Sequence, residues 1–121
     1  MRYEEFLRGN EDNGKFFEQM DYLAGKITGD ANYKEKFREA AERFTAAGYT
    51  VLNPADLPEG MEKEDYMRMC LAMMFTADAV AFLPDWQESL GATIEHKLAV
   101  YCDKWRLMPD ESGTFYTVDA G

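Results

Sequence analysis

Apolar positions along this 121-residue chain change their spacing several times, and each change predicts an element. Met20-Asp21-Tyr22-Leu23-Ala24 is a short, largely apolar run closed by Gly25 and Gly29, which predicts a first strand ending in a turn. Over 33–47 the apolar residues Phe37, Ala40, Ala41 and Phe44 recur at helical spacing. They predict an amphipathic helix that Gly48 stops in the position after the cap. Residues 49–52 predict a second strand, and 53–60, with Asn53, Pro54, Pro58 and Gly60, a loop. Residues 62–75 predict a second helix with a methionine-heavy face, Met67, Leu71 and Met74, suited to a core or a subunit contact. Ala79-Val80-Ala81-Phe82-Leu83 is the most apolar run, as a central parallel strand should be. A third helix is predicted over 90–102 with Ser89 as its N-cap, a fourth strand over 104–108, and a fifth strand or a tail over 113–118. Strands alternating with helices point to a layered α/β sheet with right-handed crossovers.

The length suits one small domain, 19–121, preceded by a polar, acidic arm over 1–18. In that arm Tyr3, Phe6, Leu7, Phe16 and Phe17 are the residues suited to docking on the body or on a partner subunit. Acidic residues outnumber basic ones, 23 to 13, for a formal net charge of −10. A nucleic-acid polymer needs a basic patch to displace its counterions, and Lys34, Lys36, Arg38 and Arg43 are interleaved with Glu35, Glu39 and Glu42 as a mixed, solvated helix face. No nucleic-acid polymer is therefore expected as a partner, whereas a mononucleotide needs only a local cradle of backbone amides. The apolar stretch over 70–84 is broken by Thr76 and Asp78 and is too short for a membrane span, and the first residues carry no leader-like apolar region. Cys70 and Cys102 have neither a CxxC partner nor clustered histidines, so both are expected as buried free thiols of a cytoplasmic protein, with no metal and no cofactor.

Two windows carry candidate chemistry. The first joins the third strand to the third helix: Leu83-Pro84-Asp85-Trp86-Gln87-Glu88-Ser89-Leu90-Gly91, with Glu95 about one helical turn further on. In open α/β sheets ligands bind at the carboxyl ends of strands, where helix N-termini present free N–H groups. Helix side chains lean N-terminally, so Glu95 is positioned to reach that mouth as nucleophile or general base. An ordinary first-turn glutamate that complements the helix dipole explains the residue as well. The second window, Gly25-Lys26-Ile27-Thr28-Gly29 after the first strand, suits an anion cradle, although its glycine spacing is neither a Walker loop nor a dinucleotide fingerprint. Asp85, Trp86 and Asn53 lie at the same mouth. Asp78 is expected to cap a turn, and His96 to lie on the surface.

Several segments, in chain order, resemble the nucleoside 2-deoxyribosyltransferase-like superfamily. These are Tyr22-Leu23-Ala24-Gly25 with Lys26-Ile27-Thr28-Gly29, Leu52-Asn53-Pro54-Ala55, Thr76-Ala77-Asp78-Ala79-Val80, Leu83-Pro84-Asp85-Trp86, and Ser89-Leu90-Gly91-Ala92-Thr93-Ile94-Glu95. The similarity covers roughly residues 20 to 107 and is nearest to a branch of small bacterial and phage proteins related to the 2′-deoxynucleoside 5′-monophosphate N-glycosidases. It implies a flavodoxin- or Rossmann-like three-layer sandwich with a mostly parallel sheet of four to five strands. It further implies a homodimer paired through the helix at 66–75, and a nucleoside or nucleoside monophosphate as ligand.

The resemblance implies Glu95 as the nucleophile that attacks the anomeric carbon, Tyr22 as the hydroxyl that holds it, and Ser89 as a contact to a 5′-phosphate. For the nucleoside it implies, Asp85 counts with the catalytic residues and orients base or ribose, Trp86 stacks on the base, and Asn53 hydrogen-bonds base or sugar. One position departs from the pattern: Cys70 stands where the superfamily has an aspartate thought to help protonate the leaving base. Lys26 and Thr28 likewise stand where the monophosphate glycosidases have serine and arginine. A thiol is a poor general acid at neutral pH, so two other readings accompany glycoside cleavage. One is a catalytically silent module that senses or sequesters a nucleotide; the other is an acidic protein-interaction domain.

Overall fold

The computed structural model describes residues 19–118, so the acidic arm expected over 1–18 lies outside the described residues. The elements run β1 (Met20–Ala24), α1 (Tyr33–Ala46), β2 (Thr50–Leu52), a 3-10 turn (Pro54–Asp56), α2 (Lys63–Thr76) and β3 (Ala79–Phe82). A second 3-10 turn (Trp86–Glu88), α3 (Leu90–Tyr101), β4 (Trp105–Pro109) and β5 (Phe115–Val118) follow. Together they form an α/β fold on one five-stranded sheet of order β2-β1-β3-β4-β5. The first four strands in that order are parallel, and β5 returns antiparallel to β4.

The expected segments and the observed ones agree to within a residue or two at their ends, and local chemistry explains the stops. Gly48 has φ 103°, a left-handed conformation in which a side chain would be strained, and α1 ends just before it. The segment left open between strand and tail is a strand, because the Asp110 carboxylate accepts the N–H groups of Ser112 and Thr114 and folds the chain back on β4. Asp78 is structural, but in place of the turn cap expected of it, its carboxylate accepts the Met20 N–H at 2.9 Å and ties the start of β3 to the start of β1.

Strand alternation divides the core between the two sheet faces. Leu23, Ala79, Ala81, Leu83 and Leu107 pack with Phe37 and Phe44 of α1 on one face. Tyr22, Ala24, Val80 and Phe82 pack with Cys70 and Met74 of α2 and with Ala92 and Ala99 of α3 on the other. Burying a side chain such as Phe37 contributes roughly 2–3 kcal/mol, so the apolar stripe of α1 docks that helix on its face. Cys102 corrects the expectation of two buried thiols: it follows the last residue of α3 and is exposed, while Cys70 is buried and free. Among the described residues no helix is long and apolar enough to cross a membrane.

Candidate functional site

β1 and β3 are adjacent, while the chain leaving β1 crosses to β2 on one side and β3 leads on to β4 on the other. The loops after these two strands therefore part, and a crevice opens at their carboxyl ends. A cavity of about 610 Å3 occupies this place, with Tyr22 and Gly25 from the end of β1, Ile27 and Thr28 from the following loop, and Ser89, Gly91 and Glu95 from α3 and its cap. Met61, Lys63, Tyr66, Met67 and Cys70 supply the α2 side.

At its base Glu95 and Tyr22 meet. The Tyr22 hydroxyl donates to Oε2 of Glu95 at 2.5 Å, and both residues are buried, Glu95 at 5% exposure. Oε1 of Glu95 has no hydrogen-bond partner among the described residues, and the residue lines the cavity. Burial pushes the Glu95 carboxyl up to about 7, with the Tyr22 hydrogen bond opposing that rise. The Tyr22 phenol is raised well above its usual value, first by burial and then by the neighbouring Glu95 and Cys70. Burial pushes the Cys70 thiol up to about 11.

The α3 end of the cavity is shaped by capping. Ser89 Oγ accepts the Ala92 N–H at 3.1 Å, which satisfies one of the free donors at the helix start. Ser89 thus caps the helix and lines the cavity at once, and Gly91 lines it beside Ser89.

The structure places the other expected site residues differently. Asp85, expected to face the ligand, is committed to the protein: Oδ1 accepts the Lys26 N–H at 3.1 Å and Oδ2 pairs with the Lys36 ammonium. Lys36 also donates to the Lys26 carbonyl at 2.8 Å and to Asp30 at 2.5 Å, so all three of its donors are used. The expected solvated face of α1 therefore excludes Lys36, whose ammonium pins the loop after β1 to the end of β3. Gly25 is needed at that seam, because a Cβ there would stand 3.0 Å from Leu83 Cβ and 3.2 Å from Asp85 Oδ1. Lys26 itself reaches Glu88 across the mouth at 3.7 Å, and Gly29 turns the loop with φ 82°.

Trp86 stacks on His96, with ring centroids 4.5 Å apart, and leans on Phe82. The indole is therefore occupied by a protein partner, and His96, expected at the surface, is half-buried; burial lowers its imidazole pKa. Asn53 caps the first 3-10 turn by accepting the Ala55 N–H at 3.0 Å. It lines a separate open groove of about 940 Å3 against α1, where Lys34 pairs with Glu59 and Arg38 with Glu42. Those charges satisfy one another, whereas the smaller cavity is lined by the buried Glu95, whose Oε1 has no hydrogen-bond partner among the described residues.

Lys36, Tyr66, Met61 and Met67 are site or support residues not expected in that role: Lys36 is expected on a solvated face and Met67 in a core or subunit contact. Three of them sit in ordinary helix patterns, and Met61 in the loop before α2. Among the described residues no three His, Cys, Asp or Glu side chains stand together as metal ligands.

No curated protein matches this chain. Residues 19–105, which include every cavity residue named above, match the family described as Domain of unknown function (DUF4406), and the chain belongs to that family.

Proposed function

We propose that this protein binds a nucleoside or nucleoside monophosphate in the cavity between β1, α2 and α3, and cleaves or transfers at its N-glycosidic bond. Glu95 is the nucleophile. The observation that carries the reading is the buried Glu95 carboxylate, held at one oxygen by Tyr22, on a residue that lines a nucleoside-sized cavity. Covalent glycosyl transfer needs an ionised carboxylate fixed beneath the anomeric carbon, and a phenol hydrogen bond both orients the group and favours its charged form. In the reaction Oε1 attacks C1′, the base departs with the bond's electron pair, and water or a second acceptor then opens the glycosyl ester.

The likeness to the deoxyribosyltransferase superfamily, and with it a flavodoxin-like three-layer arrangement, is part of the same proposal. The strand order and the two core clusters on opposite sheet faces support it. So does the meeting of Tyr22 and Glu95, which the resemblance implies. The proposal places the protein in the cytoplasm as a homodimer, paired through α2 and α3, where Met69, Phe75, Leu90, Ile94 and Tyr101 are exposed. Light scattering at micromolar concentration tests the pairing, and a monomer mass would overturn it.

A silent nucleotide-binding module is the second reading, favoured by Cys70 in place of an acid beside Tyr22 and Glu95. Calorimetric titration with nucleoside monophosphates, paired with chromatographic assay of free base, separates the two. Saturable heat with base release supports cleavage, saturable heat alone supports the silent module, and no heat with either class of ligand overturns both.

A further inference from the structure

This inference rests on glycosidic cleavage by Glu95 and names the kind of leaving group the cavity accepts. Three observations bear on it. The side chains beside the Glu95 carboxylate are a phenol and a thiol: Tyr22 has its proton engaged with Oε2, and Cys70 is 7% exposed on the same wall. A useful general acid has a pKa near the working pH, and the buried thiol is held far above that. The second observation is charge. Glu95 faces a neutral phenol rather than a cation, Glu88 is shared with Lys26 at the rim, and Lys63, the cation in the lining, stands exposed on the first turn of α2 and is not bonded to Glu95. The third is the α2 wall, where the Tyr66 ring and the Met61 and Met67 thioethers offer polarisable faces to a flat cation.

We propose that the substrate is an N-glycoside whose base already carries a positive charge on its ring system, of the pyridinium or N-alkylpurinium class. Such a base leaves without being protonated. The C1′–N bond breaks with its electron pair going to the ring, which becomes neutral, while Oε1 of Glu95 forms a bond to C1′. One positive and one negative charge disappear together. Water then attacks C1′ of the ester, releasing the sugar and a proton and restoring the carboxylate. The cation also makes the reaction self-consistent at the nucleophile, because a positive ring near Glu95 favours the ionised carboxylate that must attack. A thiol at position 70 is then no defect, since this leaving group requires no acid.

The test compares 7-methylguanosine with guanosine, a pair that differs in one methyl group and the charge it brings. Both are assayed in the ribose and 2-deoxyribose series, as nucleosides and as 5′-monophosphates, with nicotinamide riboside as a second cation. Free base released by the full chain is expressed as enhancement over the rate in buffer, which removes the greater intrinsic lability of the cations. The expected enhancement for the cationic bases exceeds that for guanosine by ~10²-fold or more, the usual worth of a missing general acid. It should vanish in Glu95→Gln, with circular dichroism confirming the fold. Cys70→Asp provides a second test, shifting the ratio toward guanosine by ~10-fold or more. Guanosine enhanced as strongly as its methylated partner would overturn this inference while leaving glycosidic cleavage standing. Release of no base from any of these compounds would overturn both.

Discussion

The Tyr22 hydroxyl donates a 2.5 Å hydrogen bond to Oε2 of Glu95, joining residues 73 positions apart in the chain. Tyr22 comes from β1 and Glu95 from the second turn of α3, so the contact exists only when the sheet and that helix have docked. It gives a buried carboxylate one fixed partner and leaves its other oxygen without a hydrogen bond among the described residues. Its consequences can be measured.

Replacing Glu95 by Gln keeps the size of the side chain and its ability to accept from Tyr22, but removes the nucleophile. Base release should fall by ~10³-fold or more while ligand affinity persists. Parallel chromatographic and calorimetric assays check this, and equal turnover in the two proteins would remove Glu95 from the mechanism.

The pH profile follows from the burial of Glu95. Attack requires the ionised form, so kcat/KM for a substrate with no ionisation of its own in this range should rise with pH through about 7 and level off above it. Tyr22→Phe removes the hydrogen bond that favours the carboxylate, so this limb should move to higher pH. A limb that stays in place in Tyr22→Phe would show that the contact does not tune the nucleophile.

Stability should run the opposite way. The folded-state pKa of Glu95 is raised from 4.5, so its contribution is fully present below pH 4.5 and is lost as pH rises through about 7. The amount is up to about 3 kcal/mol. Asp21, buried in β1 with no hydrogen-bond partner for either carboxylate oxygen among the described residues, is raised in the same direction by burial and adds to the slope. Urea melts from pH 4.5 to 8 should show declining stability, and Asp21→Asn should flatten the decline; an unchanged slope would place the carboxylate elsewhere.

Lys36→Met should destabilise the fold by about 1–3 kcal/mol, because Asp85 and Asp30 lose the ammonium between them in a half-buried setting. Lys36→Arg keeps the charge and should recover part of the loss. Denaturant midpoints measure both, and a Met variant as stable as wild type would mean the clamp contributes nothing net.

Gly25→Ala brings a methyl to 3.0 Å from Leu83 Cβ at the seam of the two loops. A cost of about 1–3 kcal/mol is expected, together with weakened ligand binding, since the same loop walls the cavity. Thermal melts and calorimetry read the two effects separately.

The alternation of apolar runs, the stop at Gly48 and the caps at Ser89 and Asp110 are short-range matters, decided by backbone geometry and side chains within a few residues of one another. The sequence alone therefore determined which segments from β1 to β4 are helix and strand, and that they alternate, while the segment that became β5 stayed open between strand and tail. It also placed Glu95 at the mouth of the sheet, because helix starts are legible as local chemistry, whereas Tyr22 entered through the resemblance. What it could not determine was the partner of each polar group. Asp85 and Trp86 belong to the same local motif as Ser89, yet one is taken by Lys36 and the other by His96, while Ser89 lines the cavity. A lysine in a mixed helix face carries no linear sign that its three donors will converge on two loops. Those outcomes depend on which charges and rings the folded sheet brings within a few ångströms, and tertiary packing alone sets that distance.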